Sequence, residues 1–480
     1  MTDPLLVLGV AVLLIALLVA RVPVAFSLLV SGVVGVYFVQ DHFAAESVLA
    51  RMPYDTSASY GIIIVPLFIA LGVMASRGRL ATDGFVFAAR LTRRLPGGLA
   101  IAAVVACAAF SAVSGSSAAT VVALGPTTVR EMVRHGYNKV VAAGVIGAAG
   151  TLGILIPPSV ALVLYGILTR ESIGDLLLAG IMPGLVSALV FAVAIMIRAK
   201  LQPDLFGREP VLAASEPVLV ATGSRSPSTR LPTQESPAAE ISAAGNGSSD
   251  GVPSAGFGEY RVSSIVRLGI LFGVIMGGIY LGVATETEAA ALGALLALVF
   301  YCSDALHLPK GTRWQDARET FAESTRLTGM TMALLIGGAV FSYFLVIAGV
   351  PAAFGEWVTG ISASPLVVAI LVVILFLILG MFIDGLSILL IAVPLTYPVM
   401  TGLGYDGIWF GIVVVKAIEI GLITPPFGLN AYMVAGTTPG LSVREAFRGV
   451  MWFVPLELLL IVLLFLVPDL ATWLPSVAGN

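Results

Sequence analysis

Residues 150–159, GTLGILIPPS, place two consecutive prolines inside a long apolar run, and residues 421–430, GLITPPFGLN, do so again late in the chain. A proline inside a helix removes one amide donor and clashes with the preceding turn, at a cost of ~3 kcal/mol or more. Unwound backbone at membrane depth is tolerated only where protein or a water-filled cavity surrounds it. Each stretch therefore predicts a spanning helix broken near its middle. The freed carbonyls of such a break can ligate a hard cation, and the half-helix N-termini can face an anionic group. A kink without a ligand is the plainer account of one such segment, but two in register beside polar turns weigh against it.

The surroundings support the membrane premise. Of 480 residues, 58% are hydrophobic and 11% charged, with a mean hydropathy of +1.02; a soluble domain carries about 25% charged residues. Runs such as residues 5–20, 366–379 and 456–467 approach the roughly 20 apolar residues that a helix needs to cross the hydrocarbon core. The first run leads directly into Arg21, Pro23 and more apolar sequence, so it is expected to be a retained helix and not a cleaved signal. The chain is thus all-α and polytopic. The net charge of −3 says little about partners and gives no sign of nucleic-acid binding. Cys107 and Cys302 lie in apolar surroundings with no disulfide or metal spacing, and His42, His135 and His307 lie in polar turns.

The two double prolines belong to a repeat. Positions 268 apart match in type: Pro126 and Pro394, Thr128 and Thr396, Gly136 and Gly404, Tyr137 and Tyr405, Gly153 and Gly421, then Pro157-Pro158 and Pro425-Pro426. Between them, residues 201–260 turn rich in Pro, Ser, Gly, Ala and Thr without apolar periodicity, which predicts a disordered linker. The expected organisation is a first repeat over 1–200, with a hairpin at 97–136 and a broken helix at 138–168. A second repeat over 261–480 has a hairpin at 363–405 and a broken helix at 407–436.

Basic residues orient these elements. With the N-terminus outside, Arg77, Arg79, Arg90, Arg93 and Arg94 become cytoplasmic, as do Arg130, Arg134 and Lys139. The apolar pair between those clusters is then a re-entrant hairpin with its tip at 114–117. Residues 351–406 contain no Lys or Arg, as expected of a hairpin entering from outside, with its tip near 380–387. The linker lies on the cytoplasmic side and both termini on the outer side. Opposed hairpins in two similar halves predict the inverted repeat of secondary transporters.

The first tip, SAVSGSSAAT (111–120), packs hydroxyls and a glycine between apolar arms. Such oxygens suit a hard cation like Na⁺ and offer nothing to a soft metal, although small-residue helix packing uses the same residue types. The second tip carries Asp384, Gly385 and Ser387; an acidic residue at such depth marks a candidate functional site. Lys416 and Glu419, one turn apart in a spanning segment, are positioned to pair, either as a structural pair or in transport. A serine protease is disfavoured, because no general base lies near Ser116 or Ser117 in sequence except His135 in a predicted turn. A passive channel does not account for two opposed hairpins. No Walker-type glycine loop is present, so the chain shows no sign of hydrolysing ATP.

SAVSGSSAAT (111–120), GTLGILIPPS (150–159), ATETEAAALGA (284–294) and GLITPPFGLN (421–430) together resemble the large membrane subunit of the tripartite ATP-independent periplasmic (TRAP) transporters. The likeness spans nearly the whole chain except the linker, which is longer than the connection the family leads one to expect. The resemblance implies an elevator-type fold in the bacterial inner membrane that imports a small organic acid with Na⁺ and needs no other cofactor. It implies two partners, a small four-helix membrane subunit and a periplasmic substrate-binding protein. No small-subunit sequence precedes Met1, so that partner is expected as a separate chain. Carried over by motif, one Na⁺ would lie at Ser114, Ser117, Gly150 and Gly153, and a second at Asp384, Gly385 and Thr424. Substrate would lie between them, near Ser116, Thr120, Pro158, Pro426 and Asn430. A stand-alone ion-coupled carboxylate carrier without a binding protein is the alternative.

Overall fold

The computed structural model describes residues 4–77, 80–207, 262–306, 309–360 and 364–478. The first part of the chain forms α1 (Pro4–Val19), α2 (Val24–Val39), α3 (His42–Ser57), α4 (Ile64–Arg77), α5 (Leu80–Thr92), α6 (Gly98–Ser114) and α7 (Ser117–Arg134). It continues through α8 (Lys139–Ala149), α9 (Leu152–Leu155), α10 (Val160–Thr169) and α11 (Ile173–Leu201). Then come α12 (Val262–Tyr280), α13 (Glu286–Ala305), α14 (Lys310–Ile347), α15 (Val350–Gly360), α16 (Pro365–Phe382) and α17 (Gly385–Gly402). The chain ends with α18 (Gly407–Ile423), α19 (Leu429–Thr437), α20 (Val443–Val450), α21 (Val454–Leu466) and α22 (Asp469–Ala478). Most of the stretch expected to be a disordered linker, from residue 208 on, lies outside the described residues, as does His307.

Among the described residues, eight helical segments are long and apolar enough to cross a membrane, and nine if the bent pair His42–Ser57 and Gly61–Arg77 forms one span. Sequence analysis placed no element at residues 42–57. Asp41 starts α3 there by accepting from the Ala44 amide at 2.8 Å, and the helix is too polar to be read from its hydropathy. The outward side chains of α16 are apolar, among them Leu366, Ile370, Leu371, Ile374, Ile378 and Phe382, as lipid contact requires.

Helix boundaries recur at the 268-residue separation. Ser117–Arg134 matches Gly385–Gly402, and the start at Lys139 and end at Leu155 match Gly407 and Ile423. The local causes recur with them. Asn138 and Asp406 cap α8 and α18, accepting from the amides of Val140 at 2.9 Å and Trp409 at 2.8 Å. Gly136 and Gly404 turn the preceding chain with φ of 82° and 89°, a region that costs other residues about 1–2 kcal/mol. Both double prolines are cis.

The interruptions follow from missing amides. In a helix the carbonyls of Gly153 and Ile154 would accept from residues 157 and 158, both prolines with no N–H to give. Residues 425 and 426 do the same to Gly421 and Leu422. The first helix accordingly breaks between Leu155 and Val160, and the second between Ile423 and Leu429. Ser159 restarts α10 by accepting from the Leu162 amide at 3.3 Å. These two interrupted helices are the innermost elements: residues 151–166 are all buried, as are Gly407 and residues 409–423. The main core gathers α4 to α13 and α16 to α22, whereas α1, α2 and α3 form a smaller core with Val340, Phe341, Phe344 and Leu345 of α14.

Candidate functional site

Each helix pair backs onto the broken helix of its own half. Gly115 and Ser116 join α6 to α7, with Gly115 at φ 61° and its amide donating to Ser111 O at 2.9 Å. A side-chain carbon on Gly115 would sit 2.5 Å from the carbonyl oxygen of Pro158, and one on Gly153 would sit 3.1 Å from that of Ser116. The first turn is thus seated on the first break with no room for an added methyl. In the second half, α16 and α17 are joined at Ile383 and Asp384, and a carbon on Gly421 would lie 2.5 Å from Gly380 Cα.

The turn residues are held by short local bonds. Ser116 accepts from the Ala119 amide at 3.3 Å and starts α7. At the equivalent position Asp384 starts α17, accepting from the Ser387 amide at 3.1 Å and its hydroxyl at 2.5 Å. Thr120 is fully buried, and its hydroxyl meets those of Ser111 and Ser114 at 3.1 Å each and donates to Ser116 O at 2.9 Å. Helix α7 therefore turns this threonine inward, where it braces the hairpin.

Both turns open onto one cavity of about 260 Å³. Ser114, Gly115, Ser116 and Ser117 line it from one side, and Asp384 and Gly385 from the other. Apolar walls come from Ile154, Val160, Ile418 and Leu422, and Gly72 and Thr331 complete it. Among the described lining residues Asp384 alone is charged. The polar side chains lining it carry oxygen alone: hydroxyls and one carboxylate. That chemistry fits a small hard cation beside an anion, and offers nothing to a soft metal. No group of three or more His, Cys, Asp or Glu with metal-holding geometry occurs among the described residues.

The expected site residues fall in several places. Ser114, Ser116, Ser117, Asp384 and Gly385 line the cavity. Gly150 and Gly153 lie behind the first turn: carbons added there would meet Val121 and Ser117 in one case, and Ser111 and Ser116 in the other. Pro158 touches the same turn through its carbonyl. Thr120 braces the hairpin and is not among the lining residues, and the other three are elsewhere. Thr424 is half-buried and donates to Ile420 O at 2.5 Å, Pro426 is exposed, and Asn430 is buried with its amide 3.5 Å from Gly147 O. Two lining residues, Gly72 and Thr331, escaped the sequence, since each sits in an ordinary apolar helix with no motif around it.

Lys416 and Glu419 do pair, at 3.2 Å, but a third ionisable group joins them. Glu457 of α21 contacts the Lys416 ammonium, which also donates to Ser187 at 3.0 Å. The only signal for Glu457 was its solitary charge in the run VPLELLLIVLLFL.

Known proteins resemble this chain along most of its length. The family described as "Tripartite ATP-independent periplasmic transporter, DctM component" matches residues 11–470. The C4-dicarboxylate TRAP transporter large permease protein DctM of Pseudomonas aeruginosa is 33% identical over 441 residues, covering 91% of this chain and 92% of that protein. The isethionate TRAP transporter permease protein DctMQ of Oleidesulfovibrio alaskensis is 28% identical, covering 88% of this chain and 59% of that longer protein. Among solved structures, the YdaH transporter of Alcanivorax borkumensis matches with a TM-score of 0.53 and 14% identity, covering 91% of this chain and 89% of that one. At that identity the likeness concerns the fold alone.

Proposed function

Because the chain belongs to the tripartite ATP-independent periplasmic transporter family, as its DctM component, we propose that it imports a small organic acid, a C4-dicarboxylate or a close relative, by Na⁺ symport. The observation that carries the proposal is the shared cavity: turns from both halves, one rich in hydroxyls and one acidic, meet around a single space. Ser114, Ser117, Gly150 and Gly153 hold one Na⁺ and Asp384, Gly385 and Thr424 a second. The acid lies near Ser116, with Thr120, Pro158, Pro426 and Asn430 contributing as the second break approaches. The two halves are inverted repeats, and their hairpins and broken helices travel together against a scaffold. The termini are periplasmic and the linker cytoplasmic. A small four-helix membrane subunit and a periplasmic binding protein complete the machine, in keeping with the longer DctMQ relative, whose name joins two components.

Energetics support the stoichiometry. Moving one negative charge inward against an inside-negative potential costs about 2.3 kcal/mol per 100 mV. A dianion therefore needs two cations merely to cancel the electrical cost, and one oxygen-lined site per half supplies that number.

Proteoliposomes containing the large and small subunits, with binding protein and labelled succinate outside, provide the test. Uptake is expected only under an inward Na⁺ gradient, and Ser117→Ala is expected to raise the half-saturating Na⁺ concentration about tenfold, the equivalent of about 1.4 kcal/mol. Equal uptake with K⁺ replacing Na⁺ excludes Na⁺ coupling. Uptake by the large subunit alone establishes the stand-alone carboxylate carrier instead.

A further inference from the structure

The Lys416 cluster lies where the two halves meet. Thr151 and Glu419 occupy equivalent positions, 268 residues apart, on the two interrupted helices, while Ser187 and Glu457 come from α11 and α21. Lys416 and Glu419 are 0% exposed and Glu457 is 1% exposed. The ammonium spends its three donors on Glu457, Glu419 and Ser187. Glu457 accepts from the Ser187 hydroxyl at 3.3 Å on one oxygen, and the Thr151 hydroxyl, shared with Ala148 O at 2.6 Å, lies 3.1 Å from the other. Glu419 is poorer: beyond Lys416, its Oε1 lies beside the Ile154 amide and has no hydrogen bond of normal geometry.

Charge counting then decides. Two carboxylates and one ammonium, all within 1% of complete burial, leave one negative charge without a partner of opposite sign. A buried unpaired charge costs several kcal/mol even after relaxation. Helix α18 packs against α9, α10, α11, α16, α17, α19, α21 and α22. From these, Glu457 is the charged group that acts on Glu419, along with Lys416 on its own helix. The other charged groups on these helices are Asp175 in the first turn of α11, Arg198 and Lys200 in its last turn, Asp384 at the start of α17, whose neighbour Gly385 borders Ile418, and Asp469 in the first turn of α22; none of them acts on Glu419. The Tyr165 hydroxyl is spent on Gly407 O at the opposite end of α18. A metal cation is disfavoured by the adjacent ammonium.

We propose that this cluster is a proton-binding site, holding one proton shared by Glu419 and Glu457 and residing mainly on Glu419, so that the contact between the two interrupted helices is neutral. Glu457, with more donors, remains the partner of Lys416. Loss of the proton puts a bare charge between the halves, and transport falls as pH rises. This proton is separate from the Na⁺ at the cavity and does not depend on that assignment.

Infrared difference spectroscopy of the full-length chain in nanodiscs reads the proton directly. A protonated-carboxyl C=O band is expected in neutral buffer, lost on passing to alkaline buffer and absent in Glu419→Gln. In the reconstituted complex, Glu419→Gln is expected to keep near wild-type uptake at neutral pH and to lose the alkaline decline, whereas Glu457→Gln lowers the thermal midpoint. No protonated-carboxyl band in the neutral wild type, or an alkaline decline unchanged in Glu419→Gln, overturns the proposal. The infrared measurement on the wild type decides even if a variant fails to fold.

Discussion

Gly115→Val is expected to lower uptake at least tenfold while the chain still purifies as a folded species. Gly115 sits at φ 61°, and a side-chain carbon there would lie 2.5 Å from the Pro158 carbonyl oxygen. The left-handed conformation alone costs a branched residue about 1–2 kcal/mol. Overpacking against another backbone adds about 1–3 kcal/mol, because a carbonyl cannot swing aside like a side-chain tip. The first turn must therefore leave the first break, carrying Ser114, Ser116 and Ser117 with it. Since 1.4 kcal/mol is already a factor of ten, the shift would dismantle the cation site proposed between the two elements. Gly269→Val, where nothing lies within 4 Å of the added carbon, is the matched control and is expected to transport normally. Uptake by Gly115→Val at the wild-type rate shows that the seated turn is not required.

Lys416→Met is expected to be the most destabilising single replacement in the membrane region. It leaves Glu419 and Glu457 facing each other without the ammonium between them, both within 1% of complete burial. Removing one partner of a buried ion pair costs about 3–5 kcal/mol, mostly the penalty of the stranded charge. Thermal unfolding in detergent checks the loss. The triple replacement Lys416→Met, Glu419→Gln, Glu457→Gln removes every charge and is expected to recover most of it. A single variant as stable as wild type, or a triple variant no better than the single, shows that the cluster's charge does not govern stability.

What the sequence made legible has a common physical basis. A proline advertises the amide it lacks, so the helix ends at Leu155 and Ile423 are visible without coordinates. Asn138, Ser116, Asp384 and Asp406 announce helix starts because a short polar side chain is what a free N-terminal amide needs. The cavity serines were readable as a polar turn between two apolar arms, although helix packing uses the same small residues. Thr120 was carried over to the substrate with the same motif, but the motif did not reveal that its place on α7 also bonds its hydroxyl to Ser111, Ser114 and Ser116. Orientation around a helix axis is a tertiary property. So is the meeting of Lys416 with Glu457 across 41 positions of sequence, and so is the difference between two like-spelled double prolines: Pro157 and Pro158 are buried, whereas Pro425 and Pro426 are exposed.

Asp384 does more than begin a helix. Exposed at the cavity wall, it stands as a lone sentry of the same sign as a carboxylic acid arriving from outside. Under the proposed symport, a doubly ionised guest would be turned away until a positive companion had answered that sentry, so the passengers would board in sequence, metal ahead of acid. One side chain would then guard against the leak that squanders the ion gradient.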